Sequence, residues 1–242
     1  MEACTISNFG LKEATECAAT IRKIGKNCNS MEEVSTKIVN FFYNTFTDER
    51  IAEKDFPLVR IFKTHAFGKL DVKLRKFAES CLPGQTLHTA TKCLTLLATA
   101  GVNENWRDRK ASTGHKAIPL SSEDVVDKLP MIRNLIKQLG LDIKTVINPD
   151  PELIQDLTEK TYNVFLVSKA LGSANIPAQK EFVVPFHIQS VLGFGGVFPD
   201  GDIFAVIIFS NKIITEEVAT LFKTLALSTK VALLPWTKKI FQ

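Results

Sequence analysis

Three groups of residues in this 242-residue chain have types and spacings that could do chemistry. The first is the glycine run Gly193-Phe194-Gly195-Gly196. A dinucleotide cradle needs G-x-G-x-x-G after a strand and leading straight into a helix, whose first amides then meet phosphate. Here Phe198 occupies the third glycine position, and Pro199-Asp200-Gly201-Asp202 follows. Proline fixes φ and glycine permits a positive one, so this is turn chemistry, and another apolar strand lies behind it. Residues 190–210 therefore read as a β-hairpin whose glycines mark a bulge or a close backbone approach.

The second group is five cysteines and four histidines. Cys4, Cys17, Cys28, Cys81 and Cys93 form no CxxC pair. Cys81 and Cys93 could meet across a helix–strand junction as a redox pair. Lys92 beside Cys93 is weak activation, and buried inert thiols are the simpler reading. His65, His88, His115 and His187 lack metal-site spacing. His65 and His187 fall near ends of expected strands and could approach one another. No serine sits in GxSxG, and no carboxylate pair stands out. The third group is the polar stretch from 102 to 117, with Trp106, Arg107, Arg109, Ser112 and His115. An arginine fork and an imidazole can hold a carboxylate or phosphate while an indole supplies an aromatic wall. The alternative is a solvated loop in which Asp108 pairs internally.

Composition bounds the function classes. With 45% hydrophobic and 23% charged residues, the chain can bury a substantial core. The net charge of +4 is dispersed, without the dense basic stripe of a nucleic-acid footprint, so no nucleic-acid partner is expected. Scattered, odd-numbered cysteines suit reduced thiols in a cytoplasm better than a secreted disulfide framework. The first residues lack a basic start followed by an apolar core, and the longest apolar run, 203–209, is too short to span a bilayer. The expected setting is cytoplasmic, without membrane insertion.

These residues must be positioned by an α/β arrangement. A short helix is expected around 11–24. A clearer one follows Ser30, whose hydroxyl can cap a first turn carrying Glu32 and Glu33. Strands are expected at 56–65, 92–101, 162–167, 181–186 and on both sides of the 199–202 turn. Residues 72–81 carry a helical stripe. Residues 121–140 form a helix interrupted by Pro130 and closed by Gly140. A long amphipathic helix begins at Thr215, with Glu216 and Glu217 in its first turn. Its apolar stripe is wider than one sheet-facing surface requires.

From "VPFHIQSVLGFGGVFPDGDIFAVIIFSNKIITEEVATLFKTLALSTKVALL" the chain resembles the C-terminal half of a GAF domain: strand, turn, strand, short exit, then a helix opening Thr-Glu-Glu. "RIFKTHAFGKLD", "KCLTLLATAG", "RKASTGHKAIPL" and "YNVFLVSKALGSANIPAQKEFVVP" are similar to the input modules at the front of bacterial sensor histidine kinases. The resemblance implies an α+β fold with a central antiparallel sheet, helices on one face, and a loop- or helix-covered pocket on the other. It implies a GAF-like domain over 30–236, a helical extension over 1–29 and a tail over 237–242. Trp106, Arg107, Arg109, Ser112 and His115 would then line or cover the pocket, with Tyr162, Phe165, Phe186 and His187 as further wall. The function implied is small-molecule sensing relayed through terminal helices, with a homodimer through helices 30–46 and 215–234 and a downstream signalling protein. No cofactor is specified. A thiol-dependent reductase using Cys81 and Cys93, or a protein-interaction module without a ligand, are the alternatives.

Overall fold

In a computed structural model, residues 4–48, 52–149 and 163–241 are described. A six-stranded, wholly antiparallel sheet runs through the molecule. Beside it, a minor two-residue pair joins β1 (Thr47–Asp48) to β2 (Glu53–Lys54). The sheet strands are β3 (Leu58–Ala66), β4 (Lys92–Gly101), β5 (Ala117–Leu120), β6 (Phe165–Val167), β7 (Ser190–Val197) and β8 (Ile203–Ser210). Their order is β5-β4-β3-β8-β7-β6, so β3 and β8 lie at the centre. The mixed α+β class with a central antiparallel sheet is thus present.

One face of the sheet carries α1 (Leu11–Ile24), α2 (Met31–Thr45) and α7 (Glu216–Leu233). Their caps follow from sequence. Ser30 Oγ accepts from Glu33 N at 3.1 Å, and Thr215 Oγ1 accepts from Val218 N at 3.3 Å. Each satisfies an amide with no intrahelical partner. The first amides of α2 are closed a second way: Met31 N donates to Lys239 O and Glu32 N to Ile240 O, at 2.9 and 2.8 Å. The wide stripe of α7 is explained by α1, whose Ala14, Cys17, Ala18 and Ile21 belong to the same buried layer. The two elements approach closely enough that a Cβ on Gly25 would lie 2.7 Å from Ala232 O. The helix Glu216–Trp236 is long and apolar enough by composition to cross a membrane, but 44% of its apolar window is buried inside this layer.

The other face is covered by α4 (Glu123–Asp127), α5 (Pro130–Gln138), α6 (Ile143–Ile147) and the irregular segment 168–189. Strand alternation sends Leu58, Phe62, Ile207 and Phe209 to this layer and Val59, Ile61, Val206 and Ile208 to the helical one. A register shift where Ile61 and Phe62 pair with β4 leaves Leu97 extra, so Leu97 and Ala98 both join the helical layer. The remaining helix, α3 (Val72–Cys81), packs with β5 over a smaller cluster around Leu74, Ala78 and Cys93.

The hairpin reading of 190–210 holds, with Ser190 paired to Ser210 and Val197 to Ile203. Gly201 has φ 76°, as the turn requires. Gly195 is needed for close approach, since a Cβ there would sit 2.2 Å from Phe204 O. Two local expectations are corrected. Residues 181–186 are not a strand: Gln179–Val183 is a π-helical turn, continued by turns to His187. The Gln179 side chain anchors it, donating to Ile176 O at 2.7 Å and Ala170 O at 3.1 Å while accepting from Gly172 N at 2.8 Å. β5 was unexpected, because "AIPL" is short and contains Pro119. The expected helix after the 148–151 turn and the start of the 162–167 strand, including Tyr162, lie outside the described residues.

Candidate functional site

A cavity of about 460 Å³ lies between the sheet and the covering layer. Its floor is Leu58, Phe62, Leu94, Ile207 and Phe209, its roof Met131, Ile132 and Leu135 of α5 with residues 175–178. One wall is aromatic. Trp106 meets Phe182 edge-on at 5.4 Å and Phe186 at 4.5 Å, and Phe182 is perpendicular to Phe209 at 4.8 Å. Trp106 gets there because the chain folds back after β4 over bare backbone: a Cβ on Gly101 would lie 3.0 Å from the indole.

Into this apolar chamber projects Arg60 of β3, only 8% exposed. Its Nε has no hydrogen-bond partner, and among the described residues no carboxylate pairs with it. Burial alone pulls the guanidinium down to about 10. Such a charge is normally buried only when paired. His115 stands at the rim with φ 59°, a left-handed conformation seldom used outside turns and sites. Although the residue is exposed by surface area, desolvation by the chain packed around the ring, and then Arg60, push its imidazole below the ordinary histidine value. Lys128 adds a second cation to the rim, and among the described lining residues there is no carboxylate. The arrangement can hold an apolar molecule bearing one acidic group, its acid on the guanidinium fork and its body against the aromatic wall.

The residues expected from sequence are distributed as follows. Trp106 and His115 line the cavity. Ser112 is buried and donates to Gly114 O at 3.1 Å, holding the turn that presents His115. Arg107 is exposed and donates to Val102 O at 3.2 Å. Arg109 is on the helical side, 2.5 Å from Glu32 Oε1 and 4.5 Å above the Phe241 ring. The loop crosses the sheet edge, so its side chains divide between two faces. Phe165 is core, pressed beside Gly193. His187 is exposed, with φ 52°. Strand register separates it from His65: β7 begins opposite Ser210, whereas Lys63 pairs with Phe204 at the other end of β8. The alternation of "PLVRIFKTH" marks a strand and does not by itself single out Arg60. The signal that would have found it is position: β3 is central, and both its faces are covered.

Neither thiol of the Cys81–Cys93 pair is activated. Burial, with Cys81 nearby, pushes Cys93 up to about 12, and burial raises Cys81 too. Among the described residues no three metal-ligating side chains cluster. Compared with known proteins, the sequence matches no family model and no curated protein.

Proposed function

We propose that this chain is a GAF-like sensory module that binds a small apolar monocarboxylate in the cavity over β3 and relays its occupancy through the terminal helices. The observation that carries the reading is Arg60, a buried cation with no acid beside it among the described residues, in a chamber whose floor and roof are mostly apolar. Supporting it are the antiparallel sheet, three helices on one face and a roofed cavity on the other. The relay follows from alternation: Arg60 faces the cavity while its neighbours Val59 and Ile61 pack into the layer of α2 and α7. A homodimer through α7 is supported by Leu227, Val231 and Leu234, which are 63%, 47% and 40% exposed on one outward stripe. Free cysteines agree with a reducing, cytoplasmic setting.

Calorimetry and thermal shift with a panel of aromatic and branched aliphatic monocarboxylates, each against its primary amide, test the proposal. Binding of an acid, loss of binding for its amide, and loss in Arg60→Met are expected. No acid bound, or an Arg60→Met variant that binds as well as the parent, would sink it.

A further inference from the structure

A second cleft lies at the other end of β3, with a volume of about 750 Å³. It is bounded by the ends of β3 and β4, the 199–202 turn and the segment 237–241. Lys63, Lys69, Lys92 and Lys238 line it, against Asp200 and Asp202. Asp202 is already committed. Its Oδ2 is held by Lys63, and its Oδ1 by Lys92 at 2.5 Å and Thr64 Oγ1 at 3.1 Å. Burial alone would raise the Asp202 carboxyl, but the charges and hydrogen bonds of Lys63 and Lys92 hold it below the ordinary range. Among the described lining residues, four lysines against two aspartates leave a surplus of two positive charges. Lys69 and Lys238 are exposed and have no acidic partner among the described residues.

Surface lysines alone would not make a site; His65 adds what they lack. It is 5% exposed and lines the same cleft. Its Nδ1 lies 3.4 Å from Lys63 O, and the opposite nitrogen, Nε2, is buried with no partner. The ring is stacked on Phe241 at 5.3 Å and 24°, with Arg109 beyond. Phe241 and Ile240 give the cleft an apolar wall beside its charges.

We propose that this cleft binds a phosphate monoester as its dianion, with Lys69 and Lys238 closing on the phosphate, His65 Nε2 meeting one oxygen and the ester group lying against Phe241. The dianion neutralises the charge surplus, and the orphaned imidazole nitrogen gains a partner. Phosphate reverses the environment of His65, since an adjacent dianion stabilises the imidazolium that burial and Lys63 now disfavour.

The test is calorimetry of the full chain with phenyl phosphate and with inorganic phosphate, together with nitrogen-15 NMR of the histidine side chains. One phenyl phosphate per chain is expected, bound more tightly than inorganic phosphate, with the His65 signals moving toward the imidazolium. The Lys69→Ala/Lys238→Ala variant removes two exposed side chains and should weaken binding by about tenfold. Arg60→Met should leave phosphate binding unchanged, which separates this site from the cavity above. No heat from either probe, equal binding by the double variant, or binding that leaves the His65 signals unmoved would each overturn the proposal.

Discussion

Replacing Arg60 with methionine should make the unliganded protein more stable. The side chain is 8% exposed, so little solvent screens its charge. Burial lowers its proton affinity from the ordinary guanidinium value to about 10, and at 1.36 kcal/mol per unit that corresponds to a cost of about 3 kcal/mol for keeping the charged form folded. Methionine keeps most of the stem volume against Leu58 and Phe62 while removing the charge. After some loss of packing, a net gain of about 1 to 3 kcal/mol remains. For a chain of this size the melting temperature should rise by about 2 to 10 °C. The sign with pH is also fixed. The folded value lies below the unfolded one, so only from about pH 10 up to the ordinary guanidinium value does the unfolded chain hold the extra proton. Below that window both states are protonated and the cost is present in full. The gain should therefore be equal at about pH 8 and pH 9, where His115, whose imidazole Arg60 also depresses, is neutral with or without the guanidinium. Urea unfolding at both pH values measures it. A variant less stable than the parent by over about 1 kcal/mol would refute the reasoning, because it would mean the guanidinium has a stabilising partner.

Two further outcomes follow from the structure. Burial, then Lys63, holds the His65 imidazole down at about 4 from 6.5, so stability present above pH 6.5 should be lost as the pH falls toward 4, by up to about 3 kcal/mol. Lys92 and Asp202 face the same ring, and His65→Phe, which preserves stacking on Phe241, should flatten that acid slope in chemical unfolding series; an unchanged slope would assign it elsewhere. Gly195→Ala would place a methyl group 2.2 Å from Phe204 O, in a hairpin paired along its whole length. It should cost about 3 kcal/mol or more, read by a lowered urea midpoint, and a near-neutral result would mean that β7 and β8 can part more easily than their register implies.

Much of the framework was legible because local chemistry decided it. Ser30 and Thr215 cap as their types demand. The 199–202 turn closes a hairpin, and Gly140 with φ 81° ends the helix begun at Pro130. What was not legible depends on distant partners. Residues 181–186 have a strand-like composition, but the Gln179 amide supplies their neighbourhood with local hydrogen bonds and Pro185 has no amide to give a ladder. The cavity itself was half visible. Trp106 and His115 were found as a loop with recognition chemistry, whereas Arg60 was hidden in a strand whose polar positions look solvated until both faces are seen to be covered. Arg109 was drawn away by Glu32 and Phe241, partners nothing in its own loop announces.

The lateral margins of the sheet have a consequence for self-association. Within the described residues one flank ends in β5, where Pro119 removes a main-chain donor, and the other ends in β6, three residues long. Neither flank offers a ready template on which another copy could extend the ladder. Ladder extension between copies is therefore disfavoured at these two described margins, which leaves side-chain contact between helices as the more open route.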